Sequence, residues 1–419
     1  MSDGRPSILD RRIGLFGATA LGIGAIIGSG IFIVTGIVAG LAGPAMVLSV
    51  VIAGIIAVFS AMSVAELGAY LPAEGGTYAF ARKLISPFAG FIAGWIWIFS
   101  NIFVGAAVSL GFALYFVTLF PAIPVKVTAL CICLLFLAVN IIGIRESVLF
   151  NNVLVVTKVA ILLFFVAFGV FFFRWGNFVP PAPGGPVGVL SGAALIFFAY
   201  TGFARVTLIA EEVKEPEKNI PRSIALALGI STLLYLLVSV IAIGLAGAPL
   251  LAGSGSPLAD AIGVTGSSAS VLLVSAGAMI ATASVLLTTI LGISRIVFSM
   301  ARSGDLPSLF QRIHPRFRTP HYAIAVTGAG MIVSLLLADL TLVVSVSTFA
   351  MLIFYLIANV AAFRLPRKYR RYPSWVPVVG GLSCVGLIVF LSRDAWIIGC
   401  IGLLIGSVWY IFRKKAGAE

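Results

Sequence analysis

Apolar residues run along the whole chain in stretches of about 20, the length a helix needs to cross the hydrocarbon core of a bilayer. Twelve such spans are predicted, at roughly 14–40, 44–69, 88–118, 125–143, 151–173, 188–210, 223–247, 267–299, 322–338, 343–363, 376–391 and 395–412. They leave no segment for a soluble domain, so residues 1–419 are expected to form one all-α integral membrane domain. The charged N-terminal start runs into the first span with no small-residue cleavage site, which predicts an uncleaved first helix.

Two spans depart from the uniform pattern. The first contains Gly22-Ile23-Gly24-Ala25-Ile26-Ile27-Gly28-Ser29-Gly30-Ile31-Phe32 near its middle. Lipid offers a helix no hydrogen-bond partners, so glycines and a serine at this depth predict a break that turns backbone groups toward a protected cavity. The sixth span carries a similar interruption, Phe197-Phe198-Ala199-Tyr200-Thr201-Gly202-Phe203. Matched breaks in spans that enter from opposite sides predict an inverted 5+5 repeat, about 14–173 against about 188–363, with peripheral helices 11 and 12 at about 376–412.

Composition narrows the class. Hydrophobic residues make up 61% of the chain and charged residues 10%, outside the range of soluble globular domains. The net charge of +13 reflects orientation: 21 of the 27 Lys and Arg fall in the two tails and the connections on one side. Only Lys126, Arg174 and Arg393 fall in connections on the other side, while Lys158, Arg205 and Arg295 lie within spans. Such a bias places both termini in the cytoplasm of a multi-pass cell-membrane protein, without a nucleic-acid partner. Cys131, Cys133, Cys384 and Cys400 all lie in spans and read as small core residues. His314 and His321 sit in a connection without a ligand cluster, and no nucleophile–base set, Walker loop or metal-ligand spacing occurs. The chain is therefore expected to be no enzyme and to need no cofactor or metal. Residues 71–87 predict a re-entrant or interfacial half-helix, and residues 248–266 a small, polar outer loop able to act as a lid.

These motifs carry a resemblance. Gly24 to Phe32 is followed by Ala65-Glu66-Leu67-Gly68, then Pro72 and Glu74-Gly75-Gly76-Thr77-Tyr78. Further on come Phe198 to Phe203, Glu211-Glu212-Val213-Lys214-Glu215-Pro216, Asn219-Ile220-Pro221-Arg222, and Ser294-Arg295 with Met300-Ala301-Arg302, Gly304 and Leu306-Pro307. In this order and spacing the chain resembles the amino acid permeases of the amino acid–polyamine–organocation (APC) superfamily. Within it, the chain is most similar to prokaryotic relatives of the cationic amino acid transporters. The resemblance implies the leucine-transporter fold with discontinuous helices 1 and 6. It also implies transport by alternating access, spans 1, 2, 6 and 7 rocking against spans 3, 4, 8 and 9.

Site residues follow from the residues and from that likeness. Ile27, Gly28, Ser29 and Gly30 either present freed N–H groups to a substrate α-carboxylate, aided by the half-helix dipole, or serve close helix packing. The resemblance implies that carbonyls around Ala199, Tyr200 and Gly202 accept from the α-ammonium, with Phe198 an aromatic gate. Asn101 either touches the substrate or bonds a neighbouring helix. Lys158 is costly in hydrocarbon, so it either snorkels or works. The likeness matches it to a lysine that replaces the sodium ion of other relatives, bonded to the Gly24 carbonyl and Ser284, which implies coupling to H+. Arg205 follows the sixth-span interruption, beside Ala204, where cationic transporters carry a carboxylate nearby. It pairs with a carboxylate such as Glu66 as an inner gate, snorkels, or reaches an acidic substrate. The expectation is proton-coupled symport of small to medium neutral L-amino acids. Exchange, or carriage of organic amines, is the alternative; a sensor or channel fits less well.

Overall fold

The computed structural model describes residues 13–70, 76–143 and 148–416, so the motif residues Pro72, Glu74 and Gly75 lie outside the described residues. The described chain is almost wholly helical: α1 Leu15–Ile26, α2 Gly30–Ala42, α3 Met46–Tyr70, α4 Thr77–Leu84 and α5 Pro87–Leu119. Next come α6 Val125–Ile142, α7 Val148–Gly169, α8 Gly185–Tyr200, α9 Pro216–Ala252 and α10 Pro257–Gly263. The last are α11 Ser268–Arg302, α12 His321–Leu337, α13 Leu340–Phe363, α14 Trp375–Val389 and α15 Arg393–Ala416. Among the described residues nine helical stretches are long and apolar enough to cross a membrane, α2 and α3 counting as one, Gly30–Tyr70. The apolar helices α1, α12 and α14 are shorter, at 12, 17 and 15 residues.

Several boundaries differ from the pattern. The first predicted span is two helices, because no helical hydrogen bond crosses residues 27–29. The sixth does not open. At Thr201 the α-helical ladder tightens into a 3-10 helix, Thr201–Glu212, which continues without a gap. A 3-10 turn still pairs each N–H with a carbonyl three residues back, so the backbone stays satisfied where bare groups were expected. The connection at 71–87 contains the expected short helix, α4, whereas most of 248–266 is helical: α9 runs to Ala252 and α10 follows. Two of the four cysteines, Cys131 and Cys400, lie on the exposed surface rather than in the core.

Several interior polar groups are paired across helices. Ser63 Oγ donates to Asn359 Oδ1 at 2.7 Å, and Asn359 Nδ2 donates to Ser60 Oγ at 3.2 Å, stitching α13 to α3. Tyr115 Oη of α5 donates to the Phe32 carbonyl of α2 at 2.7 Å and itself accepts from the Leu258 N–H of α10 at 3.3 Å. The entry to α1 is tied back on the sequence-distant side: Ile13 N–H donates to Glu212 O (3.0 Å) and Lys214 N–H to Ile13 O (2.8 Å).

Candidate functional site

The break between α1 and α2 faces the junction of α8 with the 3-10 helix. Ile27 leaves the helical region at φ −76, ψ 76 after its N–H donates to Ile23 O. Gly28 N–H turns back to Ile26 O at 2.8 Å, and α2 begins with Ile33 N–H donating to Ser29 O at 3.0 Å. The N–H groups of Ser29, Gly30, Ile31 and Phe32 therefore find no acceptor in the preceding turn. They form the positive end of a helix dipole, where an anionic group is favoured.

Glycine brings the two elements together. A Cβ on Gly30 would lie 2.5 Å from both Cα and Cβ of Ala199, and one on Gly202 would lie 2.1 Å from the Ala25 carbonyl oxygen. Each half of the pair thus supplies the glycine that lets the other's backbone approach. The close-packing role of Gly30 and Gly202 is visible directly and coexists with the open N–H groups beside it.

A cavity of about 50 Å³ lies along this contact. Gly28, Ser29 and Gly30 line one side, and Phe198, Ala199 and Gly202 another. Trp97 and Asn101 of α5 and Tyr78 of α4 close further sides. Asn101 Nδ2 is held by the Trp97 carbonyl of its own helix at 2.8 Å. Ile27 and Tyr200 are fully buried and absent from the lining; Tyr200 Oη instead donates to Val50 O of α3 at 3.2 Å.

Two tyrosines that the apolar pattern did not single out hold this geometry. Tyr235 Oη of α9 lies 2.6 Å from Ile26 O and 3.2 Å from Ala199 O, so one hydroxyl is shared between the ends of α1 and α8. Ala199 O, expected to be open to an ammonium group, is thus already partnered. Tyr355 Oη of α13 donates to Thr201 O at 2.5 Å, where the tighter winding begins. A single tyrosine in an apolar helix gives no periodic signal, and its partners are distant in sequence.

Lys158 is 2% exposed. Its Nζ lies 3.2 Å from Gly24 O near the end of α1 and 3.0 Å from Ser284 Oγ of α11. The structure therefore brings Lys158, Gly24 and Ser284 together, and burial at this depth rules out snorkelling to the surface. Arg205 and Glu66, by contrast, do not meet. Arg205 donates to Thr288 Oγ1 (3.0 Å) and Thr289 Oγ1 (2.9 Å) on α11 and lines the cavity. Glu66 accepts from the backbone N–H groups of Arg371 and Tyr372 beyond α13. The expected pair fails because Glu66 acts as a cap for the 370–372 connection while Arg205 projects onto α11.

A second cluster fixes the α4 side of the cavity. Asp305 accepts from Tyr78 Oη at 2.7 Å, from Arg82 at 3.1 Å and from Arg413 of α15 at 3.1 Å. Burial pushes the Tyr78 phenol above its usual range, which keeps it a donor to the carboxylate. Arg82 and Arg413 are partly solvated, so the cluster's value lies in linking α4, the turn after α11 and α15 more than in raw stability.

A family model described as amino acid permease matches residues 13–411. The chain belongs to the amino acid permeases of the APC superfamily. It is similar to the methylthioribose transporter of Bacillus subtilis (strain 168), 32% identical over 440 residues that span 97% of this chain and 94% of that one. The branched-chain amino acid permease BcaP of the same strain is 33% identical over 437 residues, with the same coverage of 97% and 94%. The chloroplastic cationic amino acid transporter 9 of Arabidopsis thaliana is 35% identical over 331 residues, 73% of this permease and 58% of the plant protein. Family and helices together make the permease a multi-pass membrane transporter.

Proposed function

We propose that this permease carries small to medium neutral L-amino acids across the cell membrane by alternating access, coupled to H+. The observation that carries this reading is the row of unpaired N–H groups at Ser29–Phe32 beside a cavity already lined by Gly28, Ser29 and Gly30. An α-carboxylate fits there because a helix N-terminus supplies both donors and favourable dipole potential. The ammonium group would meet the carbonyl of Ala25, left without a helical donor by the break, and the second lone pair of the Ala199 carbonyl on the facing wall, with Phe198 closing over the ligand and Asn101 beside its side chain. Lys158 is assigned the coupling role, exchanging its proton through a site shared with Gly24 and Ser284. The full arrangement proposed is twelve spans with an inverted 5+5 repeat, helices 11 and 12 peripheral, and both termini cytoplasmic. Exchange without net proton movement uses the same geometry.

The relative named for methylthioribose, a ligand with neither carboxylate nor ammonium, favours one competing reading, in which the polar cavity groups bind a neutral thiosugar. Counterflow separates the two. Proteoliposomes preloaded with unlabelled L-alanine are expected to accumulate labelled L-alanine transiently above equilibrium. No overshoot with alanine, together with one for methylthioribose, would move the substrate class to the thiosugar.

A further inference from the structure

Arg205 is the only charged residue among the described lining of the cavity, and no carboxylate lines it. Its guanidinium has five N–H donors, and the structure gives it two acceptors, the neutral hydroxyls of Thr288 and Thr289. Among the described residues the remaining donors have no acceptor. Arg205 is partly exposed and lines the cavity, so its remaining donors face the space a ligand fills, where an anionic group is favoured over the neutral surroundings.

Position says what that visitor is. Side chains three residues apart eclipse on a 3-10 helix, so Arg205 projects on the same face as Gly202, which packs against Ala25 at the α1 break. One turn of such a helix rises roughly 6 Å, the reach of a short acidic side chain. Thr288 lies one α-helical turn from Ser284, the partner of Lys158, so two cations stand along the same face of α11. The local field repels a cationic side chain and attracts an anionic one.

We propose that Arg205 is the specificity-determining residue of this cavity, and that it selects amino acids with an acidic side chain over cationic ones. The α-carboxylate occupies the α2 N-terminus and the side-chain carboxylate takes a bidentate pair of N–H bonds from Arg205, a geometry that guanidinium favours. Acidic amino acids are thereby added to the substrate range proposed above, and the neutral ones, which use the first contact alone, bind more weakly. The assignment rests on the reading of the cavity as an amino acid site.

The test compares L-glutamate, L-glutamine and L-lysine as stabilisers of the purified permease in thermal unfolding at fixed ionic strength. Glutamate and glutamine share a shape and differ by one charge. A charge-assisted pair predicts half-maximal stabilisation by glutamate at about tenfold lower concentration than by glutamine, with no stabilisation by lysine. In Arg205→Gln the preference for glutamate over glutamine is expected to vanish, and in Arg205→Lys to survive in part. Equal stabilisation of the wild-type permease by glutamate and glutamine overturns the proposal, as does stabilisation by lysine to the same degree. Those wild-type comparisons stand even if a variant does not fold. Alanine counterflow, run alongside, reports on carriage alone: its failure with glutamate binding intact removes the carrier and leaves the specificity site.

Discussion

Lys158→Ala permease is expected to take up substrate at a rate and to a level that ignore an imposed pH gradient. One proton moved per substrate across one pH unit is worth 1.36 kcal/mol, so wild-type permease in that stoichiometry accumulates substrate up to about tenfold, and the variant about onefold. The physical ground is the ammonium's position. With 2% exposure it is cut off from bulk water, and its Nζ bridges α1 and α11. A proton leaving Nζ weakens its hold on the Gly24 carbonyl, just ahead of the residues whose N–H groups stand open. On the proposed reading, coupling of protonation to the substrate site would run through the four residues Ala25 to Gly28. Uptake into proteoliposomes with inside pH set above, equal to and below outside pH checks it. A Lys158→Ala protein that still accumulates with the gradient removes the lysine from coupling.

Gly202→Ala is expected to prevent α1 from seating against the 3-10 helix. The added methyl would lie 2.1 Å from Ala25 O, 2.2 Å from Ala25 C and 2.6 Å from Ile26 N, all of them backbone atoms with no rotamer to yield. Overpacking against flexible side chains costs typically 1–3 kcal/mol, so a clash with main chain alone should cost about 3 kcal/mol or more. Thermal unfolding in detergent should show a markedly lower midpoint or no folded protein. Gly229→Ala on α9 is the control, since nothing lies within 4 Å of its Cβ and alanine suits a helix better. Matching midpoints for Gly202→Ala and wild type would mean that the two elements are not in this contact.

The hydrophobic pattern made the helical membrane architecture readable because lipid leaves a chain so few options. The break at 27–29 was readable for the same reason: Gly28, Ser29 and Gly30 interrupt an otherwise apolar run. The second interruption looked alike in sequence but folds differently. Gly202 is there for close approach to Ala25, and a close approach needs no open backbone, so one glycine pattern serves two structures. The meeting of Lys158 with Gly24 and Ser284 came through family likeness; nothing local in the α7 sequence points to α1 and α11. The pairing of Arg205 with Glu66 failed for a related reason. Charge complementarity on paper ignores that Glu66 is consumed by backbone N–H groups of Arg371 and Tyr372. Tyr235 and Asp305 were missed because their work is done by single polar atoms on long-range partners, which no periodicity records.

The most direct measurement on the central claim is a thermal-unfolding comparison of L-alanine, L-alaninamide and propionate on the wild-type permease. A ligand that needs both the α2 N-terminus and the opposing carbonyls must carry carboxylate and ammonium together. L-Alanine alone is then expected to raise the unfolding midpoint, since only a ligand of the folded state stabilises it. Equal stabilisation by L-alaninamide, which has no carboxylate, would contradict the binding of a carboxylate by the open N–H groups of Ser29–Phe32.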